Sequence, residues 1–298
     1  MLTGVRVVFI GGDARQIEVI QKCSQKDALV TIVGFDDLAE KLEDIPQEGL
    51  SSTLLATANV IVLPVIGCDA EGKIMTLFSS APLQLLEEHF AAISQDCTVY
   101  TGIAKPYLRE MCAQFKINLV ELLNRDDVAI YNSIPTAEGA IMMAIQHTDF
   151  TIHGSNCMVL GMGRTGFTMA RSLQGLGAKV SVGVRSEEHF ARASEMGWEP
   201  FMTRDLGRKV GNVNLLFNTI PTMIVTAQIL SQMPPNAVII DLASAPGGCD
   251  FRYAEKRGIK ALLAPGLPGI VAPKTAGIII ANALVRLISE DIRMRGDQ

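Results

Sequence analysis

Histidine is scarce in this chain and stops early: after His89, His147, His153 and His189 there is none. Removing a hydroxyl proton as hydride leaves calls for a general base, most often a histidine, and the chain beyond position 189 offers none of that type. The cysteines, Cys23, Cys68, Cys97, Cys112, Cys157 and Cys249, form no Cys-x-x-Cys pair and have no histidine pair nearby. They are expected to be buried small hydrophobes in a reducing compartment, with no metal site. No apolar run is long enough to span a bilayer, and Met1-Leu2-Thr3-Gly4 leads into a strand rather than a signal peptide. A basic field is also missing: 26 Lys and Arg face 31 Asp and Glu, a net charge of -5, which argues against nucleic acid as a partner. With 48% hydrophobic residues in 298, the composition is that of a globular, cytoplasmic protein of two domains.

What is present centres on Cys157-Met158-Val159-Leu160 running into Gly161-Met162-Gly163-Arg164-Thr165-Gly166. A short strand entering G-x-G-x-x-G, followed by an amphipathic stretch, holds a dinucleotide pyrophosphate at a helix N-terminus. Gly161 permits the tight turn, Gly163 lets the backbone approach the phosphates, and Gly166 lets the helix lie close to its strand. A helix over Phe167 to Leu176, a cap at Gly177 and a strand over Lys179 to Val184 complete the unit. Where an NAD enzyme usually has Asp or Glu, this chain has Arg185 and Ser186. A guanidinium can pair with a 2′-phosphate, so NADP is favoured, with NAD as the alternative.

Strands alternate with helices throughout. In the first half they are read at 5–10, 30–33, 59–64, 97–100 and 117–120, with helices over 16–24, 82–90 and 106–115. In the second half they are read at 158–160, 180–184, 215–218, 237–241 and 259–263. The expected fold is α/β: two doubly wound parallel-sheet, Rossmann-like domains with a cleft between them, linked by a long helix. The first, flavodoxin- or Rossmann-like and substrate-binding, spans 1–130; the connecting helix spans 131–150, opening near Pro135 with Ser133 or Thr136 as its cap. An NAD(P)-binding domain follows at 151–275, and a C-terminal helix, 276–298, returns to the first domain.

Strand ends deliver residues to a bound nucleotide in such sheets, so Thr219, Ile220 and Pro221, and Asp241 with Ala243, are expected to border its ribose and nicotinamide. The stretch Pro265 to Thr275 is too rich in proline and glycine for a regular element. It precedes the last helix, where Lys274 either meets a substrate carboxylate or is simply solvated. Ser133, Thr136 and Glu138 on one side, and Gly11-Gly12-Asp13-Ala14-Arg15 on another, could line the same site or merely start helices. His153 is either a packing residue or a proton carrier.

Four segments together carry a resemblance. Asn132 to Gly139, Gly161 to Gly166, Asp241 to Ser244 with Pro246-Gly247-Gly248, and Gly266 to Gly269 with Ala272 to Gly277 resemble the A-subunit family of dipicolinate synthase. That family is a spore-formation enzyme working with a smaller, flavoprotein-like B-subunit. The resemblance implies oxidation of dihydrodipicolinate, or its 4-hydroxytetrahydro precursor, to pyridine-2,6-dicarboxylate with NADP, in the mother-cell cytoplasm. A small dicarboxylate substrate is then implied, with Lys274, Ser133, Thr136 and Arg15 as catalytic candidates and the helix starts at Lys274 and at Gly12 to Arg15 as anion sites on opposite walls. The B-subunit of dipicolinate synthase is the implied partner, and self-association is expected as well. The competing expectations are an oxidoreductase like the D-2-hydroxyacid dehydrogenases, and a nucleotide-binding subunit that does no chemistry itself.

Overall fold

The structure, a computed structural model, describes residues 1–296. The chain divides into two compact units, Met1–Val128 joined by the segment from Pro273, and Ala129–Ala272. Unit 1 runs β1 (Arg6–Ile10), α1 (Ala14–Ser24), β2 (Leu29–Val33), α2 (Ser52–Thr57), β3 (Val60–Val62), β4 (Lys73–Ile74), β5 (Leu83–Gln84), α3 (Glu87–Ala92), β6 (Thr98–Thr101), α4 (Pro106–Gln114) and β7 (Asn118–Glu121). Five of these strands form a parallel sheet in the order β2-β1-β3-β6-β7. The strands are almost continuously apolar because both faces are covered. Val7 and Phe9 point into one core, Val8 and Ile10 into the other. Each fully buried side chain of this size contributes about 1.5–3 kcal/mol.

The helix expected over 82–90 is shorter than its periodicity implied. Leu83–Gln84 pairs antiparallel with Lys73–Ile74, and only Glu87–Ala92 is helical.

Unit 2 takes most of α5 (Asp126–His147), then β8 (Asn156–Leu160), α6 (Arg164–Gly175), β9 (Lys179–Val184), α7 (Glu187–Glu195), β10 (Glu199–Met202), α8 (Leu206–Lys209), β11 (Leu215–Asn218), α9 (Ala227–Leu230), β12 (Val238–Asp241), α10 (Phe251–Arg257), β13 (Lys260–Leu263) and α11 (Leu267–Val271). Its six strands are parallel in the order β10-β9-β8-β11-β12-β13. Strand order reverses between β8 and β11, and ligands of open α/β sheets bind beyond the carboxyl ends of strands at that point.

Two expectations are corrected here. α5 opens at Asp126, not near Pro135, which lies inside it; acidic Asp126 and Asp127 suit the positive end of the helix dipole, while Pro135 forgoes one backbone hydrogen bond of the helix interior. The Pro265–Thr275 stretch holds a regular element after all, since Leu267–Val271 is a short helix with a proline in its first turn.

The last helix, α12 (Pro273–Gly296), belongs to unit 1. Its Ile280, Ala281, Leu284 and Ile288 share a core with Val19, Ile20 and Cys23 of α1. Gly277 makes the approach possible, because a Cβ there would stand 2.5 Å from the Arg15 carbonyl oxygen and 2.9 Å from Glu18 Cβ. The second turn of α12 is therefore seated on the opening turns of α1, at Arg15 and Glu18.

Candidate functional site

At the switch point of unit 2, Leu160 ends β8 and the chain turns through Gly161, whose φ of +94° favours glycine. Its N–H donates to the Gly183 carbonyl at 2.9 Å. Gly166 must also lack a side chain, since a Cβ there would be 2.1 Å from the Gly161 carbonyl oxygen. Gly163 differs: a Cβ at that position would meet nothing within 4 Å. Gly163 is the N-cap of α6 and has no side chain to accept from the first turn, so the opening N–H groups at Thr165 and Gly166 have no capping side chain. An open space in front of uncapped amides is the cradle a diphosphate needs, and it fits the pyrophosphate of a dinucleotide.

Around this turn lies a cavity of about 360 Å³, lined by Gly161, Met162, Gly163, Arg164, Gly183, Val184, Arg185, His189, Thr219, Ile220 and Pro221. Eight residues expected from the sequence to bind the nucleotide thus meet in one place. Thr165 and Gly166 follow in the first turn of α6 behind them. Arg185 is exposed and makes no ion pair among the described residues. Ser186 caps α7, its Oγ accepting from the His189 N–H at 3.3 Å. His189 itself was not expected; the signal was its place three residues after a serine that reads as a helix cap. A larger cavity of about 720 Å³ lies at the opposite, amino ends of the strands, beside Asn156, Lys179 and the Lys209–Glu199 pair. Dinucleotides bind at the carboxyl ends, so the smaller cavity is the candidate site.

Thr219 supports the turn rather than reaching freely into it. Its N–H and Oγ1 both donate to the Leu160 carbonyl, at 3.0 and 2.8 Å. Asp241 corrects an expectation, because its side chain is wholly buried and already committed. Oδ1 accepts from Asn218 Nδ2 at 2.9 Å and from the Ala243 N–H at 3.1 Å, and Oδ2 accepts from the Gly248 N–H at 2.7 Å. Ala243 is likewise buried, its N–H spent on that carboxylate. Asp241 and Asn218, whose Oδ1 accepts the Ile220 N–H at 3.0 Å, hold the two loops in shape. Close by, burial and the carboxylates of Asp241 and Asp250 push the Cys249 thiol up to about 12, which makes it inert as a nucleophile.

The catalytic candidates are redistributed. Ser133 is buried and bonded at 2.6 Å both to the Ile130 carbonyl and to Thr168 Oγ1, tying α5 to α6. Thr136 donates to the Asn132 carbonyl of its own helix at 2.8 Å rather than capping it, and Glu138 is exposed. His153 lies exposed before β8, at the end of the sheet away from Gly161, which removes it as a proton carrier there.

In unit 1, Arg15 is gripped by Asp13, Nη2 to Oδ2 at 2.6 Å and Nε to Oδ1 at 2.9 Å. Burial works to raise the Asp13 carboxyl, but the Arg15 hydrogen bonds and charge outweigh it and hold the group below the usual range. Arg15 is thus largely neutralised and is not a free cation. Lys274 is exposed at the start of α12, one turn ahead of Gly277 and on the same side. The two anion-site candidates are therefore neighbours within unit 1, not opposite walls. Among the described residues no group of His, Cys, Asp and Glu is arranged to hold a metal, and no helix is long and apolar enough to cross a membrane.

Residues 6–123 match the model of the N-terminal domain of the dipicolinate synthase A-subunit, and residues 136–294 that of the alanine dehydrogenase/PNT C-terminal domain. The chain is 51% identical over 290 residues to the dipicolinate synthase A-subunit of Bacillus subtilis strain 168, covering 97% of this chain and 98% of that one. This chain belongs to the A-subunit family of dipicolinate synthase. Crystal structures of two members superpose closely. That from Bacillus halodurans has a TM-score of 0.94 at 52% identity, covering 97% of this chain and 99% of the other. That from Bacillus subtilis has a TM-score of 0.95 at 50% identity, covering 99% of each. The family's second domain is of the dehydrogenase type that binds nicotinamide nucleotides, and the uncapped turn at Gly163 has the geometry for that role.

Proposed function

We propose that this chain is the nucleotide-binding subunit of a dipicolinate synthase, oxidising dihydrodipicolinate, or its 4-hydroxytetrahydro precursor after loss of water, to pyridine-2,6-dicarboxylate with NADP. The observation that carries the proposal is likeness along 97% of the chain to a protein of that name. Bound NADP supplies the hydride acceptor. The amides from Gly163 to Gly166 hold its diphosphate, and Arg185, with Ser186 and His189 beside it, takes the 2′-phosphate. Lys274 and the first turns of α1 and α12 take the acid. The substrate gives up a hydride and a proton and becomes aromatic, so orientation carries most of the catalysis and no strongly tuned base is required. With no histidine after His189, the hydroxyacid-dehydrogenase alternative lacks the base it needs. The proposed partner is the smaller, flavoprotein-like B-subunit.

The test is to incubate the chain, with and without its B-subunit, with enzymatically generated precursor and either NADP or NAD, recording dipicolinate absorbance and nucleotide reduction. Turnover that needs this chain and prefers NADP is expected. Turnover by the partner in the absence of this chain would reduce it to a non-catalytic component.

A further inference from the structure

One buried polar group in unit 1 has no use in the fold. Gln16, in the first turn of α1, is 4% exposed, and its amide nitrogen has no hydrogen-bond partner among the described residues. A buried donor left unpaired is costly, and such groups in native structures usually mark a missing partner. The direction of the side chain says where that partner belongs. A Cβ on Gly12 would stand 3.0, 3.1 and 3.4 Å from Gln16 Cβ, Cγ and Cδ, so the carboxamide folds back beside Gly12 toward the open end of the helix. Gly12, at φ +126°, has no side chain of its own there, and the Gln16 side chain takes that place.

The surroundings point to an anion. The strand order of unit 1 reverses between β1 and β3, so the loop Gly11-Gly12-Asp13 after β1 occupies its switch point, where sheets of this type bind ligands. Asp13 takes the N–H groups of Arg15 and Gln16, at 3.0 and 2.9 Å, which leaves those of Asp13 and Ala14 as the remaining donors of the turn. Its own charge is offset by Arg15. Lys274, at the start of α12, stands three residues before Gly277, which is seated on Arg15 and Glu18 of α1.

We propose that the Gln16 carboxamide donates a hydrogen bond to a carboxylate of the bound acid, making it a specificity-determining residue at the amino end of α1. The inference rests on the proposal that this chain takes a dicarboxylic acid, and deepens it by naming the donor. The experiment titrates the full chain with pyridine-2,6-dicarboxylate, and separately with glutarate, by calorimetry, in the wild type and in the variants Gln16→Leu and Gln16→Glu. NADPH affinity and thermal melting are recorded for each as measures of folding.

Gln16→Leu is expected to weaken acid binding roughly ten- to a hundredfold, the size of one charge-assisted hydrogen bond, with NADPH affinity unchanged. Its melting temperature is expected to rise, because an unpaired buried donor has been removed; a residue that merely braced the fold would lower it. Gln16→Glu should weaken binding further by placing like charge against the acid. Unchanged affinity for the acid in Gln16→Leu overturns the assignment of Gln16 while leaving the proposed function standing. Glutarate binding that depends on Gln16, with no binding of the pyridine diacid, keeps the assignment and sinks the proposed substrate. No binding of either acid by the wild type overturns both.

Discussion

Asn218 and Asp241 end neighbouring strands, β11 and β12, and are joined by a buried Nδ2 to Oδ1 hydrogen bond of 2.9 Å. Between them they fix the loops Ile220–Thr222 and Ala243–Gly248, one of which borders the nucleotide cavity. Asp241→Ala would strip the Asn218 amide and the Ala243 and Gly248 N–H groups of a partner in a site closed to water. A loss of about 3 kcal/mol or more is expected in urea unfolding, along with weaker nucleotide binding. An unchanged midpoint would show that the carboxylate is dispensable.

Arg185→Ala should raise the dissociation constant for NADPH more than that for NADH, by about 1–3 kcal/mol for one charge-assisted contact. Fluorescence titration with the two reduced nucleotides measures the difference directly. Equal effects on both would remove NADP as the preferred cofactor.

The glycines of the turn should separate folding from binding. Gly166→Ala drives a methyl group to 2.1 Å from the Gly161 carbonyl, so lower stability and lost nucleotide affinity are expected together. Gly163→Ala meets nothing within 4 Å, so its melting temperature should stay near wild type while nucleotide affinity falls. A Gly163→Ala variant that binds NADPH normally would refute the diphosphate cradle.

Lys274→Ala is expected to weaken binding of pyridine-2,6-dicarboxylate by about 1 kcal/mol or more while leaving nucleotide affinity largely intact. Calorimetric titration with the diacid decides it. An undiminished affinity would mean that the ammonium is simply solvated.

A pH effect is expected from unit 1. The Arg286 hydrogen bond holds the Asp127 carboxyl down at about 2, against an ordinary 3.8, opposed by burial and helped by the Val128 N–H and Arg125. A carboxyl lowered in the folded state contributes stability that is fully present above its unfolded value and is lost as pH falls through the folded one. Melting of the wild type should therefore fall more steeply than that of Asp127→Asn between about pH 4 and pH 2. Because the pair is partly exposed the difference will be small, and parallel curves would show that it contributes nothing.

Most of the framework was legible because it rests on local patterns: apolar runs for parallel strands and the glycine spacing at Gly161 to Gly166. The expected residues that line the cavity at the Gly161 turn share that origin, being contiguous or at strand ends. What escaped depends on partners distant in sequence. β10 contains Pro200, which argues against a strand, yet it is an edge strand paired only with β9, where the missing N–H costs little. Pro135 suggested a helix start because tertiary packing of α5, with Ala137, Ala140 and Ala144 in the core, cannot be read from a proline. The burial of Asp241 and Ser133, and the orphaned amide of Gln16, follow from packing that no spacing encodes.

The return of α12 to α1 has a consequence for synthesis. Residues 129–272 are contiguous and can mature while the nascent chain is still being extended, whereas the amino-terminal sheet lacks one wall until the final helix emerges. Translation thus completes the half it began with last, and a chain released early would leave the apolar side of α1, with Val19, Ile20 and Cys23, bare to chaperones and proteases.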